Sequence, residues 1–232
     1  MHPDVAEGVT VYTYSREHGD FHAENIRIGG GDITFDFVSP RGTVRDISLG
    51  VPVSINIDNS IAAMALAQLN GATDEELRNG MASYRGVERR FDFKIRTPER
   101  AFLTDYAHHP AELRQSALSI RELYKGKKLT ALFQPHLYTR TRDFYADFAE
   151  SLSLFDEVIL TDIYPAREAP IEGVTSRLIY DRLAPGVEKT LCRKEEVPDI
   201  IRTKRPEVLV LLGAGDLDRY VPQLCDILNE PC

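Results

Sequence analysis

Beyond Arg100, short apolar runs alternate with longer stretches whose apolar residues recur at helical spacing, and no other feature limits the possible folds so strongly. Strands are expected over residues 101–106, 129–133, 157–163, 189–192 and 208–212, and helices over 110–124, 143–154, 176–183, 196–202 and 217–228. Connections of this kind join parallel strands by right-handed crossovers, so residues 96–232 are predicted to form a mainly parallel, Rossmann-like α/β domain. Ligands of such sheets collect outside the carboxyl ends of the strands. Four segments fall at such ends: Asp105-Tyr106, Gln134 to Arg142, Asp162 to Glu168, and Gly213 to Asp216. They are expected to converge on one rim.

Upstream the pattern differs. Residues 10–50 alternate apolar and polar positions, as in Ile33-Thr34-Phe35-Asp36-Phe37-Val38, which predicts a hairpin or meander. Gly29-Gly30-Gly31-Asp32 separates two such runs and reads as a tight turn, because no lysine with Ser or Thr follows and no helix opens there. From Asn56 the apolar spacing becomes helical through Ile61, Met64, Ala65 and Leu69. Thr73-Asp74-Glu75-Glu76 then starts a second helix with a capping box. The charged stretch around Arg96-Thr97-Pro98-Glu99-Arg100 is taken as the boundary between a first domain, 1–95, and a second, 96–232.

Composition narrows the function classes. The 232 residues are 43% hydrophobic, enough for a substantial core, and no apolar run approaches the roughly 18 residues of a membrane span. A net charge of −8 without a long basic run argues against nucleic-acid binding. Met1-His2-Pro3-Asp4 lacks the layout of a signal peptide, and Cys192, Cys225 and Cys232 show no metal-ligand spacing. A cytoplasmic protein with reduced thiols and small-molecule partners is expected.

At the rim, Pro110 suits the first position of a helix and Glu112 its positive end, with Leu113, Ala117, Ile120 and Tyr124 as the buried stripe. Phe144, Phe148, Leu152 and Phe155 make a second core stripe. A lone histidine before a helix is commonly a packing or capping residue, but His108 is matched by His136 at the equivalent place on a neighbouring strand. Arg140, between a strand end and a helix start, is suited to bind a carboxylate or phosphate, while Arg142 stays open between that role and a solvated one. Gly213-Ala214-Gly215 is not a full GxGxxG, so no dinucleotide cofactor is expected.

Together Asp105 to Pro110, Phe133 to Arg142, Leu160 to Ile171 and Gly213 to Asp216 resemble the carboxyl-terminal domain of the Mur ligases, and Gly86-Val87-Glu88-Arg89-Arg90-Phe91 resembles the segment closing that family's central ATPase domain. The run Gln134-Pro135-His136-Leu137-Tyr138-Thr139-Arg140-Thr141-Arg142 is similar to that of the alanine-adding members. The resemblance spans essentially the whole chain. It implies an ATP-dependent amide ligation in peptidoglycan precursor synthesis. The carboxylate of UDP-N-acetylmuramate would take the γ-phosphoryl group of ATP, with Mg2+ neutralising phosphate charge, and the L-alanine amine would attack the acyl phosphate through a tetrahedral intermediate.

By motif, the resemblance assigns Asn56, Arg90 and Asp105 to ATP. Tyr106, His108, His136, Arg140, Arg142, Gly213 and Ala214 fall to the amino-acid substrate, with His108, His136 and Arg140 as catalytic residues. It assigns no metal ligand in this span. The sequence departs from the family pattern at Ile55, where histidine usually precedes the asparagine, and at Ser60, where alanine is usual. It also lacks the G-x-x-x-x-G-K-[ST] phosphate loop and the UDP-binding domain, so it is expected to be the carboxyl-terminal half of such a ligase and inactive alone. Two other readings remain: a non-catalytic nucleotide or amino-acid binding module, or a Mur-type ligase for another amino acid selected through Leu137, Tyr164 and Arg167.

Overall fold

The computed structural model describes residues 5–97 and 99–230, so the features expected at Met1 to Asp4, Pro98 and Cys232 lie outside the described residues. The described chain divides into two compact units. One holds the chain up to Ile28 together with Asp32–Arg85; the other holds Gly29–Gly31 and the chain from Gly86 onward.

In the first unit the alternating runs become a three-stranded meander of β1 (His22–Gly29), β2 (Asp32–Ser39) and β3 (Gly42–Ser48). Ile33, Phe35 and Phe37 point to one buried face, as period-two alternation requires. Opposite a register shift that places an extra residue in β3, Asp36 is buried too, and its carboxylate accepts from Asn25 Nδ2 at 2.8 Å and Asp46 N at 2.9 Å. Helices α1 (Ile55–Leu69) and α2 (Asp74–Ser83) follow. Thr73 and Glu76 form the expected capping box, with Glu76 accepting from Thr73 N at 2.8 Å. Ile57, Ile61 and Met64 are the buried side of α1, whereas Leu69 is exposed and does not join the stripe expected of it.

The second unit is a doubly wound α/β fold. Its six-stranded sheet runs β4 (Asp92–Arg96), β5 (Ala101–Asp105), β9 (Val208–Leu212), β6 (Leu129–Phe133), β7 (Glu157–Leu160), β8 (Glu188–Leu191). All neighbours are parallel except the antiparallel pair β4 and β5. The residue 96 that was taken to open the second domain therefore lies in a strand of this sheet, because Arg96 pairs with Ala101. Every residue of β6 and β9 is buried, as expected of strands covered on both faces. On one face Phe102, Leu132, Ile159, Leu209 and Leu211 pack with Val197 and Ile201 of α6 (Val197–Lys204) and Leu224 and Ile227 of α7 (Val221–Asn229). The other face carries α3 (Pro110–Leu123) and α4 (Tyr138–Leu152), with Phe133 against Phe148 at a ring separation of 5.5 Å.

Three helices differ from expectation. Helix α4 begins at Tyr138 rather than residue 143, α5 is a single turn (Arg177–Tyr180), and the last helix opens as a 3-10 turn (Leu217–Tyr220) before α7, where Pro222 fits the first turn. Phe144 is half exposed, its ring against His109 at 5.1 Å instead of in the core.

Candidate functional site

Strand β9 enters between β5 and β6, so Asp105, Leu212 and Phe133 stand in register and the loops leaving the three strands are neighbours. Their backbones interlock: Gly213 N donates to Asp105 O at 3.2 Å and Gln134 N to Leu212 O at 3.3 Å. The four segments expected at the carboxyl rim of the second unit do come together.

Gln134 organises the centre. Buried at 3% exposure, it donates through Nε2 to Asp216 Oδ1 at 3.1 Å, and its Oε1 accepts from Asp216 N at 3.0 Å and Leu217 N at 3.3 Å. Lys194 holds the other Asp216 oxygen at 2.5 Å, so the Asp216 carboxyl sits below its ordinary pKa despite burial that pushes it up. The glycines around it have no room for a side chain: a Cβ on Gly215 would stand 2.0 Å from Gln134 Oε1, and Gly213 adopts φ +130° with Gln134 O 2.9 Å from where its Cβ would be. Ala214 between them is half-buried.

Along the β5 end, Asp105 is half-buried, and burial raises its pKa above the ordinary carboxyl value, opposed by hydrogen bonds from the Ser116 hydroxyl and the Phe91, Tyr106 and Ala107 backbone. The Tyr106 ring lies between the Arg89 guanidinium, 5.0 Å away, and the His108 ring, 5.3 Å away. Arg89 is itself clamped by the Gly213 and Gly215 carbonyls at 3.0 and 3.2 Å and by Asp218 at 3.3 Å. Its neighbour Arg90 is exposed, in a turn closed by Arg90 N to Val87 O at 3.0 Å.

His108, His136 and Arg140 form one cluster. The histidine rings are 6.1 Å apart, His108 Nδ1 is 2.9 Å from Tyr106 O, and His136 stacks on Tyr164 at 5.6 Å. Burial, then the charges of Arg140 and His108, hold the His136 pKa below 6.5, and its buried Nδ1 has no hydrogen-bond partner. Arg140 is half-buried in the first turn of α4, donates only to His108 O at 3.5 Å, and makes no ion pair among the described residues. Arg142 is exposed and paired with Asp143 at 2.7 Å, which leaves its charge answered away from the cluster.

Glu168, from the loop after β7, reaches the start of α4 and accepts from Thr139 N at 2.9 Å and Thr139 Oγ1 at 2.5 Å. Sequence reasoning did not assign roles to Glu168, Gln134 or Arg89. Their partners lie far along the chain, and no local pattern marks such pairs. In the first unit, Asn56 lines a cavity of about 260 Å³ with Gly50, Val51, Asn59, Ser60 and Tyr84. Asn56 Nδ2 donates to Val51 O at 3.0 Å and its Oδ1 accepts from Asn59 at 3.2 Å, which leaves one amide N–H and one lone pair.

The family model for "Mur ligase, glutamate ligase domain" matches residues 89–215, which contain most of the interlocked rim, from Arg89 to Gly215. The chain belongs to the Mur ligase family. A UDP-N-acetylmuramate–L-alanine ligase of Phocaeicola vulgatus is 67% identical over 230 residues, covering 99% of this chain and 50% of that protein. One from Parabacteroides distasonis is 57% identical over 97% of this chain and 49% of its own length. The chain thus spans about half the length of the curated relatives it matches. Among solved structures, the UDP-N-acetylmuramate–alanine ligase of Thermotoga maritima has the same fold, with a TM-score of 0.71 at 24% identity over 93% of this chain and 47% of that one.

Among the described residues no helix is long and apolar enough to cross a membrane. Nor do three or more His, Cys, Asp or Glu gather there in a group able to hold a metal ion.

Proposed function

We propose that this chain supplies the carboxyl-terminal half of a cytoplasmic, ATP-dependent ligase that joins L-alanine to the carboxylate of UDP-N-acetylmuramate. The observation that carries the reading is Arg140, a half-buried guanidinium without a carboxylate partner among the described residues. A cation removed from water needs an anion to offset its desolvation, and the α-carboxylate of an amino acid suits the planar guanidinium. The amine of that amino acid then lies toward the two imidazoles. An ammonium cannot attack an acyl phosphate until it loses a proton, and His136, held neutral by burial and by Arg140, has a lone pair to receive it. His108 and Tyr106 complete the wall, and the Gly213-Ala214 backbone allows close approach.

For the nucleotide, the free N–H and lone pair of Asn56 match the paired acceptor and donor on one edge of adenine. Arg90 is an exposed cation available to phosphate, and the Asp105 carboxylate is suited to a ribose hydroxyl. Magnesium accompanying ATP would neutralise phosphate charge.

The test is steady-state kinetics on the full-length ligase carrying this span. Arg140→Ala is expected to raise the KM for L-alanine by roughly ten- to hundredfold, the range for a lost charged hydrogen bond, with the KM for ATP unchanged. Equal changes in both would remove the assignment.

A further inference from the structure

The start of α4 lacks every local device that helix starts normally use. Leu137 occupies the N-cap at φ +72° with no side-chain oxygen to offer, and no acidic residue lies in the first turn. The turn carries Arg140 instead, with Arg142 close behind, so its own sequence adds positive charge to the positive end of the helix dipole. The missing cap comes from 29 residues away: the Glu168 carboxylate accepts both the Thr139 N–H and the Thr139 hydroxyl. Those bonds hold the Glu168 pKa below its ordinary value, so it is ionised at neutral pH. Its loop is tied to the same place by Leu137 N to Tyr164 O at 3.0 Å and Tyr164 N to Pro135 O at 2.8 Å, and a turn within the loop, Glu168 N to Pro165 O at 2.9 Å, sets Glu168 itself.

We propose that Glu168 is a positioning and specificity-determining residue: by capping α4 it sets Arg140 as the free charge at the rim and refuses an amino acid with a second carboxylate. The inference rests on the amino-acid site proposed above. Asp143 answers Arg142 and Glu168 answers the helix terminus, while Arg140 is left for one α-carboxylate. A side-chain carboxylate beside the one held by Arg140 would meet the like charge of Glu168.

Steady-state kinetics of Glu168→Gln in the full-length ligase decides it, with L-aspartate as a probe inhibitor competing with L-alanine. The expected result is an L-alanine KM raised roughly fivefold to tenfold, the effect of a weakened cap, with the ATP KM unchanged and L-aspartate inhibiting about tenfold more strongly. Thr139→Val, which removes one bond to the carboxylate but leaves its charge, should raise the L-alanine KM without admitting L-aspartate. A residue that is only structural would lower the melting temperature and kcat without changing the preference between the two amino acids.

Unchanged amino-acid preference in a folded Glu168→Gln protein overturns the proposal, and so does L-aspartate inhibition that rises equally in Thr139→Val. Should Glu168→Gln not fold, an unchanged L-alanine KM in Thr139→Val overturns it. Arg140→Ala run beside them separates the two readings. If that change leaves L-alanine KM unaltered, the amino-acid site itself fails; if it raises KM while Glu168→Gln does not, only the role of Glu168 fails.

Discussion

Burial sets the chemistry of single side chains at this rim. Asp105 is the clearest case, because desolvation raises its pKa while the Ser116 hydroxyl and backbone N–H groups act to lower it. A carboxyl whose folded pKa lies above the ordinary 3.8 costs stability wherever it is ionised, and that cost disappears as pH falls through the folded value. Asp105→Asn is therefore expected to melt no lower than the parent at pH 7, with any gain shrinking on acidification, even as the KM for ATP rises. Thermal melts at pH 7 and pH 4 beside ATP kinetics check this, and a lower melting point at pH 7 would mean the hydrogen bonds outweigh burial. The same trade between stability and function is common at binding sites. His108, His136 and Arg140 were legible as candidates because each stands beside a strand end within a short motif. Arg89 was not: what makes it matter is a pair of carbonyls 124 and 126 residues away.

Helices and loops show where local patterns stop being informative. The capping box at Thr73 was readable because both partners lie within one turn, and it formed as expected. The start of α4 was misread by five residues, since its cap is Glu168 and nothing near Tyr138 announces a helix. The same long-range logic governs the loop after β9. Gln134 fills the space above Gly215 and takes three hydrogen bonds from or to Asp216 and Leu217. Gly215→Ala is expected to cost about 2 kcal/mol or more, because the new Cβ would overlap a buried side chain that cannot move without breaking those bonds. Urea denaturation measures it. If the clash is the cause, the cost should shrink in a Gln134→Ala background, whereas strictly additive effects would point elsewhere.

At the scale of the whole molecule, the second unit has its own sheet, whose central strands are buried on both faces, and its own continuous core. Residues 86–230 expressed alone are expected to fold with a single cooperative thermal transition; a broad transition with exposed apolar surface would show that the core is incomplete. That this unit would be a mainly parallel α/β domain was evident from alternating periodicity alone, since each strand and helix records its own burial in the spacing of its apolar residues. Its carboxyl rim followed from the same pattern, because parallel strands all end on one side. Sequence could not show that β9 inserts between β5 and β6, nor that β4 joins the sheet ahead of residue 96. It also could not reveal Gln134, Arg89 and Glu168 as the residues that hold the rim together. Periodicity is written within a few turns of chain, and the alternation therefore determined the elements and the side on which a ligand would sit. Strand order and the bonds that aim Arg140 depend on groups far apart in sequence, and only folding brings those together.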